Sequence, residues 1–258
     1  MKYLNLFLMF LSCLLSPALF AQTPRQIETD LLKSFKKIKY WDERLRDTSV
    51  NAGDSLYNAN NEFGQKLQNY SEKYTSTIIY PFALLKKEYL NICTSTDGLF
   101  RIYSWDTEGD GTMHEFENVM QYRYRERTHS IWVRDTAVGR QDKYVPYYTN
   151  IYSFKANNKT YYLGIYEGVY CSTCWGQGMQ VFVIENGKLN DDVKIIKTAS
   201  GLHSQLYYEY RFNGEKKDDI RFDPVSKTIS LPVVIKDRVT NKRILYKFTD
   251  QYFERVKN

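Results

Sequence analysis

Histidine is scarce in this chain: His114, His129 and His203 are the only three in 258 residues. No G-x-S-x-G, no H-E-x-x-H and no phosphate-cradling glycine loop occurs. The motif-defined serine hydrolases, zinc peptidases and P-loop nucleotidases are therefore unsupported. After the N-terminus there is no apolar stretch long enough to cross a bilayer, which takes about 20 residues. No fixed-period repeat stands out, so a full propeller is unsupported. Charge of one sign is also lacking. The formal net charge is +6, spread along the chain, which is too mild and diffuse to mark a nucleic-acid binder.

What is present begins at the N-terminus. Lys2 is the only charge before Arg25, Leu4 to Leu15 is almost wholly apolar, and Ala18-Leu19-Phe20-Ala21 follows Pro17. A charged start, a short apolar core and a small-residue end predict a cleavable secretory signal over 1–21. Removing Lys2 with it leaves a charge of +5 on residues 22–258. Cys13 raises the rival reading of a lipoprotein, but the apolar run continues past it through Leu14 and Leu15. The expected address is the periplasm or the extracellular space.

Residues 22–95 read as helical. Thr23, Pro24 and Gln26 have the spacing of a capping box with proline at the first helical position. Ile27, Leu31, Phe35, Ile38, Trp41 and Leu45 then recur at steps of three and four. Asn51-Ala52-Gly53 breaks the pattern, and Asp54 is placed to cap a second helix along Leu56, Asn60, Phe63, Leu67, Tyr70 and Tyr74. Two such helices make a hairpin whose apolar stripes need a partner surface. Pro81 can start a short helix from Phe82 to Leu90.

Residues 96–258 read as β. Asp97-Gly98 and Asn186-Gly187 are turn signals. Leu99–Trp105, Thr160–Tyr166, Met179–Ile184, Ile220–Phe222 and Ile244–Phe248 carry strand-like runs or alternation. The chain holds 23 Tyr, 14 Phe and 4 Trp. Such side chains suit strands and could also stack sugars. The expected fold class is α+β: an N-terminal helical hairpin packed on a larger, mostly antiparallel sheet system. A twisted sheet, an open barrel and a partial-propeller-like meander all fit.

Three features could carry chemistry. Asp106, Glu108, Asp110 and Glu117 fall at positions 1, 3, 5 and 12 of a calcium-loop spacing, with Gly111 at the sharp turn. Calcium needs that crowd of hard oxygens. Against it, the preceding segment reads as a strand instead of the helix such a loop requires, so a polar hairpin loop is the plainer reading. Cys93, Cys171 and Cys174 remain after signal removal. One disulfide and one free thiol is the simplest state in an oxidising compartment. Cys171 with Cys174, or Cys93 with either, would satisfy it, and a Cys₃His zinc site with His203 is a further arrangement. Arg123, Arg125 and Arg127 would share one face of a strand and could hold anionic glycans or headgroups, or form a solvated edge.

The stretch Ser95-Thr96-Asp97-Gly98-Leu99-Phe100-Arg101-Ile102-Tyr103-Ser104-Trp105-Asp106-Thr107, with Gly111-Thr112-Met113-His114 after it, resembles a family of uncharacterised exported proteins from Bacteroidota. The Phe20-Ala21-Gln22 ending is similar to signals common in that group. The resemblance extends from the second helix through the β region and implies export and a shared fold, with no activity, substrate or cofactor. The family pattern has Gly-Gly before Thr-Met-His where this chain has Asp110-Gly111, which argues against a shared calcium motif.

These observations lead to an exported envelope protein that acts as a non-catalytic binding or interaction module for an envelope glycan or protein. Two alternatives remain. One is an exported hydrolase using His114 with Asp106, Glu115 or Glu117, which would require a histidine–carboxylate contact in a concave pocket. The other is an envelope thiol oxidoreductase built on Cys171 and Cys174, which would require a helix start beside them.

Overall fold

The structure is a computed structural model, and it describes residues 22–109, 111–134, 144–214 and 219–256. Residues 1–21, which include Cys13, and Asp110 lie outside the described residues. Helix α1 runs Pro24–Asp42 and opens with the capping box read from sequence: Gln26 N donates to Thr23 Oγ1 (3.3 Å) and Thr23 N donates to Gln26 Oε1 (2.8 Å). It ends at Asp42, so Leu45 falls beyond it and is exposed. Helix α2 runs Ala52–Lys73. Its cap is Asn51, whose side chain accepts from Asp54 N, so Ala52 and Gly53 are helical and Asp54 lies inside the first turn. Helix α3 is short, Ala83–Lys87. Its N-terminus is capped from another helix: the buried carboxylate of Glu28 on α1 accepts from Leu84 N (2.7 Å) and from Tyr80 Oη (3.1 Å).

Among the described residues, fifteen strands form three sheets. The first contains β1 (Asn91–Thr94), β2 (Phe100–Asp106), β3 (Phe116–Tyr124) and β4 (Arg127–Val133), antiparallel and in that order. The second contains β5 (Tyr147–Ala156), β6 (Lys159–Val169), β7 (Cys174–Glu185) and β11 (Gln205–Arg211) in the order β11-β7-β6-β5, with β8 (Lys188–Asn190) also on β7. The third has the order β10-β9-β15-β14-β13-β12: β10 is Gly201–His203, β9 Ile196–Thr198, β15 Tyr252–Arg255, β14 Arg238–Thr249, β13 Thr228–Ile235 and β12 Arg221–Asp223. All pairings are antiparallel except β15 with β9. The class is α+β, mostly β. β1 already begins at Asn91, so the helical segment yields to strand before residue 95.

Four layers result, with three apolar cores between them. Ile27, Leu31, Leu56, Phe63 and Leu67 of the helices meet Tyr103, Trp105 and Val119 on one face of the first sheet. Phe100, Ile102, Met120 and Tyr122 on its other face meet Tyr148, Tyr162 and Phe182 of the second sheet. The far face of the second sheet, with Leu163, Ile165, Met179 and Val181, packs on Ile229, Leu231, Phe248 and Phe253 of the third. A sheet covered on both faces must bury every side chain, whatever its polarity. Arg101 shows the consequence: it is only 4% exposed, donating to Thr77 O (2.8 Å), Tyr80 O (2.6 Å) and Thr94 Oγ1 (2.7 Å). Asn60 in the stripe of α2 is likewise tied down, accepting from Trp105 Nε1 (3.1 Å).

Hairpin turns follow local chemistry. Asn186-Gly187 joins β7 to β8 with positive φ at both residues, and Asn157-Asn158 does the same between β5 and β6. Asparagine tolerates this left-handed conformation better than other side chains do.

Candidate functional site

The three arginines do not form a row. β3 ends at Tyr124 and β4 begins at Arg127, so Arg125 and Glu126 make the hairpin turn, with Arg125 at φ 54°. Arg123 pairs with Thr128 and Arg127 pairs with Tyr124. Neighbouring positions alternate faces, which sends Arg123 and Arg127 to opposite sides of the sheet. The expected anion-binding face is corrected on that ground: a turn replaced the continuous strand it needed.

The calcium spacing also fails to converge. β2 runs straight into a polar loop, and Thr107 N donates to Glu115 O (2.9 Å) to extend the hairpin. Asp106 pairs with Phe116, whereas Glu117 pairs with Trp105, so Glu117 projects from the other face. There it accepts from Trp132 Nε1 (3.0 Å), and burial pushes its carboxyl up to about 7. Asp106 Oδ1 accepts from Glu108 N (2.9 Å) and Oδ2 is bonded to His114 Nδ1. Glu108 is held above the usual carboxylate range by burial, with Asp106 and Asp42 adding to it. Asp110 is outside the described residues. Among the described residues, no group of three His, Cys, Asp or Glu side chains is placed to hold a metal ion.

Cys171 and Cys174 form a disulfide in the turn between β6 and β7. Strands flank the bridge on both sides, so no helix N-terminus is beside it to lower a thiol pKa. Cys93 is a free, buried thiol on β1, and burial pushes it up to about 12. It points at Tyr148 O (3.6 Å). His203, on β10, bonds Ser200 Oγ (2.9 Å) instead of joining the cysteines. His129 stacks on Tyr122 and has Glu72 at 3.7 Å.

His114 is the histidine with a carboxylate partner and a cavity nearby. Its backbone N donates to Val169 O (3.1 Å), its ring stacks on Phe116, and Nδ1 is bonded to Asp106. When Nδ1 donates to a carboxylate, Nε2 is left as the proton acceptor. Asp106 and Phe116 line a cavity of about 300 Å³ together with Ile38, Lys39, Asp42 and Tyr147. Among the described residues, no hydroxyl or thiol hydrogen-bonds Nε2.

A larger cleft of about 770 Å³ opens where the second sheet extends beyond the cover of the first. Its walls include Tyr144, Tyr148, Tyr166, Tyr170 and Tyr207. Beneath several of these rings lie glycines of the second sheet. Tyr166 and Tyr207 both pair with Gly178, and Gly168 and Glu209 both pair with Gly176. A Cβ on Gly178 would fall 2.0 Å from the Tyr166 ring, one on Gly164 2.8 Å from Tyr148, and one on Gly168 2.8 Å from Tyr170. Gly178 and Gly164 thus make room for a ring from a neighbouring strand, and Gly168 for the ring of Tyr170 just past the end of its own strand.

The rings are held in place. Tyr148 Oη donates to Gln180 Oε1 (2.7 Å), Tyr166 Oη donates to Gln205 Oε1 (3.4 Å), and Tyr144 Oη accepts from Val169 N (3.0 Å). Tyr144 and Tyr170 stack tilted at 4.8 Å. Burial holds the Tyr144, Tyr148, Tyr166 and Tyr170 phenols above their ordinary value, so all stay neutral at physiological pH. The Glu209 carboxylate and the Tyr207 phenol add to the rise at Tyr170, which marks their closeness. Sequence reasoning missed this site. Its trace was the interleaving of Gly164, Tyr166, Gly168 and Tyr170 with Gly176 and Gly178, which pairs rings with gaps only once the strands are in register. No protein-family model matches this chain, and no curated protein matches it.

Proposed function

We propose that the protein is an exported, non-catalytic binding module of the cell envelope, and that its ligand seats in the tyrosine cleft. Export rests on the character of residues 1–21. The binding reading rests on one observation above the others: a concave, largely pre-formed pocket whose rings are locked by glycine gaps and hydrogen bonds. Rigid aromatic walls with a few polar groups are the usual construction of a ligand site. The volume is that of a small-molecule site, which suits one unit of an envelope glycan or a small metabolite. Ligand-observed NMR with envelope-derived compounds, run on the wild type and on Tyr207→Ala, tests this. Tyr207 is 63% exposed, so its truncation leaves the fold intact. Binders that lose their signal in the variant support the reading, and binders that are indifferent to it place the ligand elsewhere.

A second reading, a hydrolase using His114, is favoured by the His114–Asp106 bond beside a cavity. Oriented imidazole is the requirement for a general base. Turnover of ester, glycoside or peptide substrates that disappears in both His114→Ala and Asp106→Asn would establish it. Absence of turnover in the wild type removes it.

A further inference from the structure

The described lining of the cleft is acidic although the chain is basic. The whole chain carries +6, yet the described residues lining the cleft include Asp191, Asp192 and Glu209 and no lysine, arginine or histidine. Asp192 is already occupied, with Lys194 at 3.3 Å and Ser204 Oγ donating to it (3.1 Å). Asp191 and Glu209 are exposed, and no ion pair among the described residues engages either. The accessible ring surface sits beside Glu209: Tyr207 is largely exposed, while Tyr144 and Tyr170 are half-buried. Glu209 pairs with Gly176, two residues along β7 from the Gly178 that pairs with Tyr207, and a Cβ on Gly176 would fall 3.0 Å from the Tyr170 ring, so the carboxylate, Tyr207 and Tyr170 lie on one face of the sheet.

Aromatic faces attract cations through the ring quadrupole, and a carboxylate at the rim adds a full opposite charge. A neutral sugar would use the rings and leave the carboxylates without a counter-charge. An anion would be repelled by them. On these grounds we infer that the cleft takes a small organic ammonium ion, seated against Tyr170 and Tyr207 with its charge toward Glu209. The inference rests on the binding-module reading and names its ligand class. Cavity size favours a free small molecule, since about 770 Å³ is in the range of small-ligand sites.

The test uses choline, its neutral carbon isostere dimethylbutanol and the neutral disaccharide maltose as probes. Each is titrated into the full chain and followed by calorimetry and by tyrosine fluorescence. The expected result is that choline binds at least about tenfold more tightly than the isostere, the ratio that a cation–π contact with a carboxylate supplies. Glu209→Gln and Tyr207→Ala should each weaken choline by a similar factor, and added salt should weaken it as well. Both positions are exposed, and an unchanged circular dichroism spectrum and melting temperature certify the fold of the variants. If maltose or the isostere binds as well as choline and loses affinity in Tyr207→Ala, the ammonium inference falls while the binding cleft stands. If no probe binds, or choline binds equally to both variants, the inference falls, and the wider screen with Tyr207→Ala decides the cleft separately.

Discussion

Replacing Glu117 by glutamine should stabilise this protein at alkaline pH and leave it nearly unchanged in acid. Glu117 sits on the helix-facing side of the first sheet beneath Trp132, whose Nε1 donates to it at 3.0 Å. Burial raises its carboxyl from 4.5 to about 7, against the opposing pull of the Trp132 bond and of the Arg134 charge. The folded state therefore holds this proton more tightly than the unfolded chain does. Between about pH 4.5 and 7 the unfolded chain releases it first, and stability is lost as pH rises through that window. At about 1.4 kcal/mol per pH unit, the full penalty above pH 7 is about 3 kcal/mol. Glutamine keeps an oxygen for Trp132 and removes the charge. Urea denaturation of both proteins from about pH 5 to about pH 8 should show a difference that grows with pH in favour of Glu117→Gln. Taking the difference cancels the other titrating groups, including Glu108, which is raised in the same direction. A difference that is flat with pH, or that favours the wild type at pH 8, would refute the account of Glu117 as a desolvated carboxyl.

Arg101→Met should cost about 2–4 kcal/mol in chemical denaturation, because it leaves the buried carbonyls of Thr77 and Tyr80 without their donor. Gly64→Ala adds a Cβ 2.2 Å from the Trp132 ring. The clash should outweigh the roughly 1 kcal/mol gained in helix propensity, lowering the melting temperature and shifting tryptophan emission. Cys93 should resist iodoacetamide in the native, unreduced protein and react on unfolding, since burial pushes its thiol up to about 12. Peptide mapping of the alkylated site checks this.

Local structure was legible where neighbours in sequence decide it. Thr23, Pro24 and Gln26 announce the start of α1 because a capping box closes within four residues. Asn186-Gly187 announces its hairpin because positive φ is a property of those residues themselves. The stripes of α1 and α2 follow from helical spacing, and even Asn60 in the second stripe is buried as its position implies. The cap of α2 was misread by one turn, since Asn51 and Asp54 bond each other and the direction of that bond is not written in composition. The Arg123–Arg127 run misled for a related reason: alternation describes a strand but does not show where it turns, and Arg125 adopted the left-handed conformation without being glycine or asparagine.

The sequence by itself determined the α+β class, the order of helices before strands, and the turns at Asp97-Gly98 and Asn186-Gly187, because propensity and periodicity act over a few residues. Tertiary structure decided everything that depends on register and on layers. It turned Glu117 away from Asp106, laid Tyr166 over Gly178 and Tyr170 over Gly168, and left one face of the second sheet uncovered beside Tyr207 and Glu209. Those outcomes follow from which strands pair and which faces meet, and the free energy that chooses them comes from burial summed over residues far apart in the chain.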